Sequence, residues 1–181
     1  MSKNFNSNGA DAKKKTGGGF QSYNLSPPIY KAIQQKGYSL PTPIQRRAIP
    51  IILQGFNVIA MARTGSGKTA SFIIPVVEKL QSHCEIVGAR AVILSPTREL
   101  ALQSAHYFKQ ISKNTDLTHC LIVGGNDMEN QFERLLLNPD VIIATPGRLW
   151  HCITQTGLQL SQVQMVVYDE CDRLFEMGFA E

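Results

Sequence analysis

The segment Ala62-Arg63-Thr64-Gly65-Ser66-Gly67-Lys68-Thr69 follows the apolar run Val58-Ile59-Ala60-Met61 and precedes a stretch with helical spacing. A buried strand, a glycine-rich turn and a helix in that order leave few folds open, because the turn must join a strand's carboxyl end to a helix's amino end. Small residues let successive backbone N–H groups point inward at phosphate oxygens, the helix adds the positive end of its dipole, and Lys68 adds a full charge. The pattern predicts a phosphate-binding loop for a nucleoside triphosphate with Mg2+. Its opening residue departs from the usual form, since Ala62 stands where glycine is common; the side chain stays small at some loss of backbone freedom.

A chain of 181 residues with 43% hydrophobic content can build the core of one domain around such a loop. No apolar run approaches a membrane span, and residues 1–19 lack the apolar centre of a signal peptide, so a soluble intracellular protein without a membrane partner is expected. Cys84, Cys120, Cys152 and Cys171 fall at no metal-ligand or redox spacing, and buried reduced thiols are expected. The net charge of +4 is unevenly placed: residues 1–19 hold Lys3, Lys13, Lys14 and Lys15 against Asp11, which leaves the rest nearly neutral. Any nucleic-acid site must then be a local stripe of donors and not a broad positive field. The tail, rich in Asn, Ser, Gly and Lys, reads as disordered, its lysine triplet serving solubility, nuclear targeting or nucleic-acid contact.

From Phe20 onward the punctuation is regular. Ser26 with Pro27 and Thr42 with Pro43 start two short helices, which Gly37 and Gly55 stop. After the phosphate loop a helix carries Phe72, Ile73, Val76, Val77 and Leu80 on one face, with a kink expected at Pro75. Apolar runs at 91–94, 120–123, 141–144 and 165–168 read as buried strands, separated by segments with helical spacing. Strands roughly 20 to 30 residues apart suit βα units, and continuous apolar strands suit a parallel sheet covered on both faces.

Each distinctive polar cluster follows a strand: the phosphate loop, Pro96-Thr97-Arg98, Gly124-Gly125, Thr145-Pro146-Gly147-Arg148 and Asp169-Glu170-Cys171-Asp172. Open α/β sheets bind ligands at the carboxyl ends of their strands, so these clusters are expected to share one rim. Asp169 and Glu170 alone would suit a turn or cap. Downstream of Gly67-Lys68-Thr69 they suit a magnesium carboxylate and a carboxylate that orients or deprotonates water, with Thr69 offering a hydroxyl to the metal. Thr97 and Thr145 read as N-caps; a helix amino terminus beside Arg98 or Arg148 is also suited to nucleic-acid phosphates. Gly124-Gly125 permits close backbone approach, and a plain turn explains it equally well.

Together these residues resemble the first RecA-like domain of DEAD-box ATP-dependent RNA helicases, over residues 20–181. The resemblance adds Gly37-Tyr38-Ser39-Leu40-Pro41-Thr42-Pro43-Ile44-Gln45, similar to the adenine-reading Q motif, with Phe20 at the position of the aromatic that stacks on the base. It implies an α/β RecA-like P-loop fold, ATP and Mg2+ as cofactors, and catalytic roles for Lys68, Asp169 and Glu170. Phe20, Gln45, Thr64, Gly65, Ser66, Gly67, Lys68 and Thr69 would bind nucleotide, and Thr69 and Asp169 the metal. Pro96, Thr97, Arg98, Gly125, Thr145, Gly147 and Arg148 would hold one RNA strand by its backbone. The runs Gly17–Ser22 and Asp172–Phe179 also resemble a nucleolar branch engaged in large ribosomal subunit assembly, which implies pre-ribosomal partners and a nuclear, nucleolar location; a cytoplasmic one is the alternative.

Two departures from the family pattern stand out. Cys171 replaces the usual alanine, which adds a thiol and leaves both carboxylates in place. The sequence also stops at Glu181, before the family's Ser-Ala-Thr motif and second RecA-like domain. The resemblance places the Ser-Ala-Thr strand between the Asp169-Glu170 strand and the phosphate-loop strand. An incomplete sheet is therefore expected, filled by a partner or exchanged segment if the chain exists alone. The missing domain should carry an arginine finger worth about 10³ to 10⁵ in rate. Weak ATP binding without useful hydrolysis or unwinding is expected of these 181 residues. A DNA-directed P-loop motor and a non-catalytic ATP- or RNA-binding fragment are the alternative readings.

Overall fold

The computed structural model describes residues 18–125 and 127–179. The basic tail expected over residues 1–19 lies, apart from Gly18 and Gly19, outside the described residues.

Four parallel strands form the sheet: β1 (Ala91–Leu94), β2 (His119–Ile122), β3 (Val141–Ala144) and β4 (Met165–Tyr168), in the order β2-β3-β1-β4. All four are runs read as strands from sequence, β2 beginning one residue early. Their register aligns Leu94 with both Ala144 and Tyr168, and Ile122 with Ala144, so all four carboxyl ends finish level. Backbone pairing continues one residue further: the N–H groups of Ser95, Thr145 and Asp169 donate to Ala144 (2.9 Å), Ile122 (3.1 Å) and Leu94 (2.9 Å). The polar clusters after the strands therefore leave the sheet along one rim.

Alternation along the strands sorts side chains to two faces. Ile93 and Ile143 join a core with Ile29 and Ile33 of α1 (Pro27–Gln35), Ile49 of α2 (Pro43–Leu53), Ile73, Ile74 and Val77 of α3 (Lys68–Leu80), and Phe108 of α4 (Arg98–Ile111). Val92 and Ile142 join a second core with Phe132 and Leu135 of α5 (Met128–Leu136) and Leu149 and Cys152 of α6 (Pro146–Thr156). A short helix, α7 (Cys171–Glu176), follows β4. The expected starts and stops are observed. Gly37 (φ +79°) ends α1 with Tyr38 N–H donating to Ile33 and its own N–H to Gln34, and Gly55 (φ +93°) ends α2 in the same way. Helix α3 runs through Pro75, whose missing donor leaves the Ser71 carbonyl without its intrahelical partner.

One expected strand is not there. Residues 58–61 were read as a buried strand, yet they take no ladder; Ile59 and Met61 are 93% and 92% exposed. A strand exists only through pairing, and none of the ladders of the sheet includes this run. β4 is an outer strand of the sheet, and its Val166 and Tyr168 side chains are exposed. The cysteines are also partly corrected. All four thiols are free, but only Cys120 and Cys152 are buried, because Cys84 lies in a loop and Cys171 opens α7 at the rim.

Candidate nucleotide and nucleic-acid sites

The phosphate loop turns on Gly65 (φ +78°) and Gly67 (φ +91°), and Gly67 caps α3, so Lys68 and Thr69 form its first turn. A Cβ at Gly67 would lie 2.5 Å from Gln45 Nε2. That contact exists because Gln45, only 3% exposed, spans two elements. Its Oε1 accepts from the Thr42 N–H at the start of α2 (3.0 Å), and its Nε2 donates to the Gly67 carbonyl (3.1 Å). A primary amide has two donor and two acceptor positions, so one of each remains. The Thr42-x-x-Gln45 spacing is a capping-box signal that could have announced the first of these bonds.

Phe20 departs from its expected role. It is 2% exposed, with its ring edge-on to Tyr23 (centroids 5.9 Å apart) and stacked over Tyr38 (6.4 Å). A base needs an open ring face, and burial in the α1–α4 core leaves none; Phe20 instead supports the segment that leads from Tyr38 to Gln45.

Asp169 ends the β4 ladder, and Glu170 makes the turn into α7 in the left-handed region at φ +49°, an uncommon conformation for a side chain of this kind. Burial, followed by the neighbouring charge of Glu170, pushes the Asp169 carboxyl up to about 6, against the opposing pull of Lys68. The interaction with Lys68 brings the β4 rim and the phosphate loop into one electrostatic site. Glu170 Oε2 lies 3.7 Å from Arg173 Nη1. A magnesium ion fits this donor set. Asp169, Glu170 and the Thr69 hydroxyl are all hard oxygen donors, and Mg2+ takes waters and substrate phosphates as most of its ligands, so it asks few of the protein.

Along the rim, Pro96, Arg98, Gly124, Thr145, Gly147 and Arg148 line one open groove of about 510 Å³. Arg98 is held in place by an Nη1 bond to the Gly124 carbonyl (2.6 Å). The Gly124-Gly125 turn is pinned by buried Gln131, whose Oε1 accepts from Val123 N–H (3.1 Å) and whose Nε2 donates to the carbonyls of Val123 (3.2 Å) and Asp127 (3.1 Å). Gly125 has φ +76°, and a Cβ there would come 3.2 Å from Arg98 Nη1. Five expected nucleic-acid residues thus meet in the groove, while Thr97 and Gly125 flank it; Thr97 Oγ1 caps α4 by accepting from Leu100 N–H (3.3 Å). Pro146 of the same cluster, Met177 and Phe179 from the Asp172–Phe179 run, and His151, which no sequence pattern named, also line it. For His151 a signal existed, since it lies one helical turn past Gly147.

An acidic turn and a basic groove follow the strand ends of one parallel sheet, and the sequence profile of DEAD/DEAH box helicases matches residues 42–181. The chain belongs to the DEAD/DEAH box helicase family. Among relatives of this family, the ATP-dependent RNA helicase DBP10 of Phaeosphaeria nodorum is 57% identical over 98% of this chain and 20% of its own length. The ATP-dependent RNA helicase DDX54 of Mus musculus is 59% identical over 93% of the chain and 19% of its own length. The chain thus spans about a fifth of the relatives it matches. The ADP-bound RNA helicase Prp28 of Chaetomium thermophilum aligns with a TM-score of 0.83 at 39% identity, covering 89% of this chain and 40% of that one. A DEAD box protein of Methanococcus jannaschii aligns at 0.82 and 41% identity, covering 90% and 44%. The four-stranded sheet with its helices is the RecA-like fold of these DEAD-box domains.

Proposed function

We propose that residues 20–181 are the ATP- and RNA-binding part of an ATP-dependent RNA helicase, preceded by a basic tail over residues 1–19 and completed in the longer protein by a second RecA-like domain. The observation that carries this reading is the shared rim, where the Asp169-Glu170 turn and the arginine-lined groove follow level strand ends and Lys68 of the phosphate loop bears on Asp169. Backbone N–H groups from Thr64 to Thr69 hold the phosphates of ATP, Lys68 neutralises the outer ones, and the free positions of the Gln45 amide read adenine. Thr69 and Asp169 would hold Mg2+, which when bound supplies charge stabilisation at the phosphates. Glu170 orients or deprotonates the attacking water. Pro96, Thr97, Arg98, Gly125, Thr145, Gly147 and Arg148 hold a single RNA strand through its backbone, which makes affinity salt-dependent and insensitive to base sequence. The longer protein would couple ATP-driven closure of two domains to remodelling of RNA or ribonucleoprotein. A nuclear, nucleolar role in large-subunit assembly with pre-ribosomal partners is supported by the resemblance at Asp172–Phe179.

Titration with a fluorescent ATP analogue and with labelled single-stranded RNA tests both halves. Lys68→Ala should abolish nucleotide binding. Arg98→Ala and Arg148→Ala should each weaken RNA binding and reduce its salt slope by about 1 while ATP binding persists. RNA affinity indifferent to both arginines would overturn the groove assignment.

A further inference from the structure

The chain has four histidines, three of which stand away from the groove. His83 Nδ1 lies 2.9 Å from Asp140 Oδ2, and His119 opens β2, so both sit at the amino ends of the strands, opposite the rim. His106 is exposed on α4 with its Nε2 2.7 Å from Gln110 Nε2. The fourth, His151, is exposed and lines the groove together with Arg98 and Arg148. Residues three and four apart share one face of a helix, so His151 extends the Gly147-Arg148 face of α6 by one turn. Among the described residues that line the groove, Arg98 from α4 and Arg148 from α6 are the other charged groups, and none of the rest titrates.

We infer that His151 is a further RNA-contacting residue, whose imidazolium pairs with a backbone phosphate of a strand lying in this groove. The inference rests on the reading of the groove as an RNA site. A phosphate beside an imidazole favours its charged form, and proton uptake and RNA binding then strengthen each other by the same factor. Arginine and phosphodiester keep their charges across the neutral range, whereas an ordinary imidazole gains its proton near pH ~6.5. The groove therefore offers two fixed cations and one conditional one. RNA affinity rises as pH falls through the imidazole range, and the salt dependence steepens as a further counterion is displaced.

The test is fluorescence anisotropy of a labelled single-stranded oligouridylate with the full chain, from roughly pH 8 to roughly pH 6 at constant ionic strength. Wild type should bind about fivefold tighter at the acid end, within what one added ionic contact gives. His151→Gln should flatten that slope, and His151→Lys should bind tightly at both ends without a slope. Unchanged melting curves would show that neither exposed substitution disturbs the fold. A wild-type slope retained in His151→Gln, or no slope in wild type, overturns the inference. Arg98→Ala and Arg148→Ala at the alkaline end separate the two readings. If they leave affinity unchanged, the groove is not the RNA site; if they weaken it while His151→Gln keeps the slope, only the role of His151 falls.

Discussion

Two carboxylates at opposite ends of the sheet show how environment decides what a residue does. Asp140, 2% exposed, precedes β3 and gathers the loop from His83 to Arg90 and the start of β2. It accepts from Arg90 Nη2 (2.6 Å), Thr118 N–H (2.9 Å) and Cys84 N–H (3.2 Å), with His83 Nδ1 at 2.9 Å. Burial alone would raise its pKa, but the donors of Thr118, His83, Arg90 and Cys84 together hold it below the ordinary 3.8. Its contribution is therefore present above 3.8 and is lost as pH falls through the lower folded value. Asp140→Asn leaves Arg90 without its buried partner and should cost about 3 kcal/mol, read as a lowered thermal midpoint at neutral pH that converges with wild type in acid. Asp169 has the opposite sign. Burial and Glu170 raise it to about 6, so its contribution is present below 3.8 and is lost as pH rises through about 6. Asp169→Asn should raise the melting temperature of the ligand-free protein at neutral pH and abolish ATP hydrolysis by the longer enzyme. A lower neutral-pH melting temperature would show that Asp169 is structural and not held charged for a ligand.

At the scale of elements, the Gln45 amide clamps the start of α2 to the phosphate loop. Gly67→Ala would press a Cβ into Gln45 Nε2 at a backbone angle that alanine resists, whereas the space around Gly65, also at positive φ, is open. Nucleotide titration should therefore show a loss above about tenfold for Gly67→Ala and a smaller one for Gly65→Ala, since clash adds to strain of about 1 kcal/mol only at the former. Equal losses would mean that the clamp is immaterial. The same comparison shows what was legible beforehand. Strands 91–94 and 141–144 could be read from composition because they are buried on both faces, and helix ends from glycine and proline because those effects are local. The run 58–61 is as apolar as either strand, but apolarity records what a partner would cover and says nothing of whether the partner is there. Phe20 and Asp140 depend on neighbours as distant as Tyr38 and Thr118, contacts with no local signature. The rim clusters were legible as a group because parallel strands that end level must deliver their following loops to one edge.

For the whole molecule, two features are left uncovered: the unpaired outer edge of β4 and the bare side chains of Ile59 and Met61. An open edge beside exposed apolar side chains favours pairing with another strand, and the first core already seats Met165 and Val167 against its helices. A further strand set between β4 and residues 58–61 in the longer protein proposed above would close the ladder on both sides. It would turn β4 from an edge into a central strand and hold the phosphate loop at a fixed distance from Asp169. That distance governs whether Lys68 and the metal carboxylate act on the same phosphates, so sheet closure and catalysis are one problem. On the reading proposed above, closure alone should not give turnover, because the proposed second domain would still have to supply charge to the transition state, a term worth about 10³ to 10⁵ in rate. Amide hydrogen exchange separates the two effects. Residues 58–61 and the outward amides of Val166 and Tyr168 should exchange rapidly in this chain, slowly in a protein extended through the next strand, and no more slowly when the proposed second domain is added. ATP hydrolysis should appear only at the last step. Protection of 58–61 in this chain alone, or none in the extended one, would mean that the phosphate-loop segment is not a latent strand of this sheet.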